Sequence, residues 1–316
     1  MRHALVILAV VCALVALPEG APQTSGTASP ASSTIEIDTV FVDKNGAPVT
    51  NIRRDEVEVW IAGYRVPLDT FIAVTPEDAV RSRRAIVLLL DDITLDPALA
   101  PRVREAGRQM VQRLAPGDEM AVIALSGDAA RSTNDPQTLL RVLDEFNTRA
   151  TGTWRADMLG GQVLATVASV SRQMSESAAR RRTIVGIGSG WLFDTPLPPP
   201  TAGRELRPEW MQAMYAMASA NVTLYVIDPG GVGRSRFPGG DGGFAREAGG
   251  FAFMNTNNVK AAADQIMAEA ASYYILGVGN PPKFQKAPLR EVEVRVKRPG
   301  VTARARRAIA GPTPPG

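Results

Sequence analysis

The stretch 84–96, RAIVLLLDDITLD, constrains the fold of this chain more than any other. Ile86, Val87, Leu88, Leu89 and Leu90 form an unbroken apolar run. A strand wetted on one face alternates apolar and polar residues. An unbroken run instead predicts a strand buried on both faces, as in a parallel sheet covered by helices. The run stops at Asp91 and Asp92, so two carboxylates stand at the carboxyl end of a central strand. In open α/β sheets, ligands bind outside that end.

Strand and helix signals then alternate. Asp96-Pro97 reads as an N-cap followed by proline at the first helical position. Val103, Ala106, Met110, Val111 and Leu114 fall on one helical face. Residues 120–125 form the next buried strand. Asp135-Pro136 repeats the capping signal ahead of Leu139, Leu140, Leu143 and Phe146. A loop at 151–154 leads into a long amphipathic helix that reaches Met174. Strands are expected at 183–187, 221–227 and 251–254, and helices at 209–220, 244–249 and 259–272. The loop 194–207 is proline-rich, and 230–243 is glycine-rich.

Both ends of this region read as β-structure. Ile35 and Ile37 alternate with Glu36 and Asp38, and Asn45-Gly46 is a hairpin signal. Val57, Val59 and Ile61 alternate with Glu56, Glu58 and Trp60, and 68–74 adds a strand. After residue 272, strands are expected at 273–278, around Val292, Val294 and Val296, and over 301–309. Arg304, Arg306 and Arg307 there read as a solvent-facing basic side. Neither end has enough strands to be stable alone. Residues 34–74 and 273–310 are therefore expected to pair into one small β domain. It would flank an α/β domain over 84–272 with a doubly wound, mostly parallel sheet. The tail 311–316 reads as disordered.

Met1-Arg2-His3, an apolar segment over 4–17 and Pro18-Glu19-Gly20 have the layout of a secretory signal peptide spanning 1–20. The apolar segment is shorter than the roughly 20 residues a membrane span needs. Residues 21–33 read as a flexible linker. The expected product is secreted or periplasmic, with no membrane span after signal removal. The single cysteine and single histidine, Cys12 and His3, both lie in the segment expected to be removed. Their loss excludes Ser-His-Asp and Cys-His catalysis and His- or Cys-ligated zinc. A metal would need oxygen ligands, which favours Mg2+, Mn2+ or Ca2+. The formal charge is only +3. No basic run is interleaved with aromatics, so nucleic acid is not the expected partner.

Six motifs in order carry a family resemblance: IVLLLDD from Ile86, LAPGDEMAVIALSG from Leu114, TGTWRADML from Thr151, RRTIVGIGSG from Arg181, NVTLYVID from Asn221 and EAGGFAFM from Glu247. The middle of the chain resembles a von Willebrand factor type A domain. With the flanking DKNGAPVTNIRRDEVEVW and SYYILGV…VEVRVKRPGVTARAR segments, the whole of 34–310 is similar to bacterial secreted von Willebrand factor A-related proteins. The resemblance implies a doubly wound sheet that binds a protein or peptide partner through its carboxyl-edge loops, often through a metal. The family's metal loop reads Asp-x-Ser-x-Ser. Asp91 matches its leading Asp, while Ile93 and Leu95 stand where the serines belong. A shift by one offers Asp92, Thr94 and Asp96 instead. Thr153 matches the second-loop Thr, Asp157 an Asp in the following helix, and Ser189 replaces the third-loop Asp. The resemblance thus implies Asp91, Asp92, Thr94, Thr153, Asp157 and Ser189 as binding residues. A degenerate metal site would use Asp91, Asp92, Thr94 and Thr153. The expected function is a secreted interaction module, not an enzyme. A metal-dependent hydrolase with oxygen ligands and a structural cell-envelope protein are the alternatives.

Overall fold

Among the residues described in this computed structural model, 34–78, 83–127, 132–148, 156–188, 206–232, 243–254, 256–279 and 287–311, thirteen strands and six helices of five residues or more follow one another. The expected signal peptide and linker lie outside those residues, as does all but the first residue of the expected disordered tail. Four strands come first: β1 (Ile35–Val42), β2 (Val57–Ile61), β3 (Tyr64–Val66) and β4 (Leu68–Val74). The α/β region follows with β5 (Arg84–Leu90), α1 (Ala100–Val111), β6 (Glu119–Ala124), α2 (Pro136–Glu145), α3 (Ala156–Met174) and β7 (Arg181–Ile187). It continues with α4 (Arg207–Ala220), β8 (Val222–Ile227), α5 (Gly243–Glu247), β9 (Ala252–Phe253) and α6 (Val259–Ala271). Strands β10 (Tyr273–Val278), β11 (Leu289–Val296), β12 (Thr302–Ala305) and β13 (Ala308–Ala310) close the chain.

The middle strands form a five-stranded parallel sheet in the order β6–β5–β7–β8–β9. Helices cover both of its faces, which is why the run through Leu90 needs no polar residue. Ile86, Leu88 and Leu90 pack with Val103, Met110, Leu139, Leu143 and Ile266 from α1, α2 and α6. Val87 and Leu89 pack with Val163, Val167, Met214, Met217 and Phe244 from α3, α4 and α5. Asp135 caps α2 by accepting from the Gln137 and Thr138 amides. Asp96 also accepts from the Ala98 amide, but Pro97–Leu99 is a 3-10 turn and α1 itself begins at Ala100.

The chain ends build two antiparallel sheets, in the orders β12–β1–β10–β4 and β13–β11–β2–β3. Ile35 is paired with Val278, and Val59 with Val294. The sheets enclose a core of Ile37, Phe41, Val59, Ile61, Tyr274, Leu276, Val292 and Ile309. The alternation over 301–309 reads as one strand, whereas the structure breaks it in two. β12 joins β1 in one sheet and β13 joins β11 in the other. The Asn45-Gly46 turn forms, with Asp43 Oδ1 accepting from the Asn45 and Ala47 amides at 2.8 and 2.9 Å. It leads to a single bridge, Val42 with Pro48, and β2 then crosses to the other sheet.

This β layer sits at the amino end of the parallel strands, through buried ions. Arg181, the first residue of β7, donates to Asp38 of β1 at 3.0 Å and lies over the Tyr273 ring. A second buried ion pair at this end lies within the α/β region, where Arg84, the first residue of β5, donates to Asp118 at 2.9 Å. The basic residues of the last strands are built into the same contact. Arg304 pairs with the buried Glu269 and stacks on Phe251 at 4.3 Å. Arg306 is buried, donates to Asn221 Oδ1 and the Glu36 carbonyl, and burial pulls its pKa down to about 10. Only Arg307, exposed and 3.5 Å from Glu247, matches the expected solvent-facing side. Among the described residues no helix is long and apolar enough to cross a membrane.

Candidate functional site

The carboxyl edge lies one strand length from the β layer, roughly 20 Å for a strand of this kind. Its loops are organised by three buried aspartates. Asp91 continues β5 by donating its amide to the Ile187 carbonyl at 3.0 Å. Its Oδ1 accepts from the Ile93 and Thr94 amides at 3.2 and 2.8 Å, and its Oδ2 accepts from the Thr94 hydroxyl. This is an Asx-type turn, in which a side-chain carboxylate replaces a backbone acceptor. Asp92 reaches sideways, and its Oδ1 accepts from the Ser126 amide beyond β6 at 3.0 Å. Asp228 continues β8, donating to the Phe253 carbonyl at 2.9 Å, while its Oδ1 accepts from the Gly230 amide at 2.8 Å. Asp91 and Asp228 follow strands on either side of β7, so their backbones stand roughly 10 Å apart.

Two apolar anchors hold the β5 loop down. Ile93 packs into the core under α3 and α4, and Leu95 into the core under α1 and α2. Arg102 of α1 ties the next loop, donating to the Pro229 carbonyl at 3.1 Å and to Asn257 Oδ1 at 3.2 Å. Gly231 lies beneath it at φ +78°, where a Cβ would come within 2.4 Å of both Arg102 Nη1 and Asn257 Oδ1.

Of the residues singled out in the sequence, Asp91, Asp92 and Thr94 are brought together on one loop. Asp157 lies in the first turn of α3, with its side chain outside the described residues. Thr153 and Ser189 are also outside them. Asp228 was not singled out, although its signal is close to the one that marked Asp91: VTLYVI is a mostly apolar run, broken only by Thr223, that ends in Asp.

Adjacent carboxylates repel unless something positive compensates them. Among the described residues, backbone amides and the Thr94 hydroxyl donate to these carboxylates. Ile93 and Leu95, the residues two and four places after Asp91, spend their side chains on the two cores. Among the described residues, no group of three or more His, Cys, Asp or Glu is placed to hold a metal ion.

No family model matches the chain, and no curated protein matches it. Among solved structures it is similar to the PilB minor pilin from Streptococcus sanguinis, at 13% identity and a TM-score of 0.40, over 65% of this chain and 63% of that one. It is also similar to three N-terminal domains of the type V pili tip protein Mfa5 from Porphyromonas gingivalis, at 10% identity and a TM-score of 0.39, over 88% and 68%. The human COPII-coat protein Sec24c matches at 7% identity and a TM-score of 0.37, over 76% and 44%. The chain thus spans less than two thirds of the pilin and less than half of the coat protein. At these scores the likenesses carry no argument about function.

Proposed function

We propose that this chain is an exported interaction module of the von Willebrand factor A-related kind. It binds a protein or peptide partner through the loops that follow β5, β6 and β8 at the carboxyl edge of the parallel sheet. One observation carries this reading. Each edge aspartate uses its carboxylate to hold loop amides, at Ile93 and Thr94, at Ser126 and at Gly230. That arrangement fixes the shape of a surface. Among the described residues it poises no nucleophile, base or group of three ligands, and this favours binding over hydrolysis. A binding surface with loops fixed in advance loses less conformational entropy on association. The proposed module works without a cation.

Two measurements test the reading. A photo-crosslinking residue placed at the exposed Ser126 should capture a partner from the envelope or culture medium of the source cells. One placed at the exposed Lys44, in the β layer, should not; equal capture from both positions would reject the carboxyl edge as the binding surface. Separately, millimolar Mg2+, Mn2+ or Ca2+ should leave the melting temperature unchanged, because a cation bound only by the folded state must raise it. A rise that disappears in Asp91→Ala would restore the metal site.

A further inference from the structure

Edges of sheets are templates for further pairing, and folds usually blunt them. Most edges here are short or covered. β3, β9 and β13 have three, two and three residues. The outer side of β6 is bridged from Met120 to Thr133. That of β12 meets α5 and its following turn, through the Ala248–Arg306 bridge and the Arg307 amide on the Glu247 carbonyl.

β4 is different. It has seven residues, LDTFIAV, and among the described residues β10 is its only strand partner. It contains no Pro, Lys or Arg, the residues that commonly protect an edge. Ile72, in its middle, is 50% exposed, one of the most exposed large apolar side chains of the described chain. Arg54 donates to the Leu68 carbonyl and closes off the first residue. Among the described residues, nothing bonds the outer backbone of the segment 70–74.

We infer that this edge pairs with the same edge of a second copy, antiparallel, about a two-fold axis through Ile72. A second copy suits it because the segment is self-complementary. With Ile72 opposite Ile72 of the other copy, Thr70 faces Val74 and Phe71 faces Ala73. The one acid, Asp69, sits at the register shift against β10 and outside 70–74, so no charge falls within the paired segment. Directly opposed side chains on paired strands lie about 4.5–5.5 Å apart at Cβ. The half-exposed isoleucines would therefore cover each other. The two four-stranded sheets would join into one of eight, and both copies would lose their open edge, as an isologous contact requires. This surface belongs to the β layer, and its success or failure is independent of the carboxyl-edge proposal.

Sedimentation of the purified chain tests the pairing. The wild type should show a reversible monomer–dimer equilibrium. Ile72→Lys, a charge on an already exposed position, should weaken it by at least about tenfold. Ile72→Val should preserve it. A crosslink locates the contact. In a Cys12→Ser background, Ile72→Cys should be joined to its counterpart by mild oxidation. Tyr64→Cys, similarly exposed at 58%, should not. A chain that stays monomeric at its highest soluble concentration overturns the inference. So does a dimer that Ile72→Lys leaves intact, or one in which position 72 fails to crosslink.

Discussion

Gly250 shows how closely backbone can approach backbone in this molecule. A Cβ built there would lie 1.9 Å from the Leu224 carbonyl oxygen and 2.8 Å from its carbon. No rotamer change relieves such a clash, because the obstruction is β8 itself. Gly250→Ala should cost about 3 kcal/mol, the upper end of the usual range for overpacking. Gly63 has nothing within 4 Å of its Cβ position but sits at φ +78°. Gly63→Ala should cost only about 1–2 kcal/mol, the ordinary left-handed penalty. Chemical denaturation of the two variants decides, and equal losses would contradict the packing argument. At this scale the sequence was readable where a pattern stops. Asp91 ends an apolar run, and Asp228 ends another that deserved the same weight. It was not readable at Arg304 and Arg306. Alternation says which side of a strand a residue takes; it does not say that Glu269 or Asn221 waits on that side.

Among the elements, the 3-10 turn at Arg54–Glu56 is tied to the end of β11 by one carboxylate. Glu56 Oε2 accepts from the Arg53 amide at 2.8 Å and from Arg298 Nη2 at 2.6 Å, and Oε1 accepts from Arg298 Nε at 2.9 Å. The Arg298 guanidinium first, and the Arg53 amide second, hold the Glu56 carboxyl down to about 2 from its ordinary 4.5. A depressed acid stabilises the fold fully above its unfolded value and loses that contribution as pH falls through the folded one. Wild type should therefore be more stable than Glu56→Gln at neutral pH, and the difference should shrink between pH 4.5 and about 2. Melting temperatures across that window check it; a difference indifferent to pH would assign the effect to packing. The caps and buried strands of the α/β region were visible in sequence because each is a local signal. The division of 301–309 between two sheets was not. The switch is made by the Arg307 amide bonding Glu247, and by the Arg307 carbonyl accepting from the Val292 amide, contacts far apart along the chain.

At the scale of the whole molecule, the pairing of the chain ends is the feature with the widest reach. Removing everything from Tyr273 onward would strip β1 of both neighbours, β4 of its partner and β2 of β11. Amide exchange over residues 35–42 should then become fast, since local protection follows the contacts that remain. A truncated chain with those amides still protected would mean that β1 is held by something other than β10 and β12. The expectation that the two ends combine rested on a count of strands too few to stand alone. Nothing in that count revealed that they would form two sheets enclosing a core.

The same pairing sets an order in time. During synthesis the first strand emerges long before its partners, for Ile35 must wait for Val278 and Thr39 for Ala305. The parallel sheet and its helices can close while the opening segment is still unpaired. Non-local contacts of this span are slow to form because the loop must be closed before any of them is rewarded. Residues 273–310 are thus the latch of these two sheets, and a ribosome that stalls just short of them leaves β1 without either of its strand neighbours.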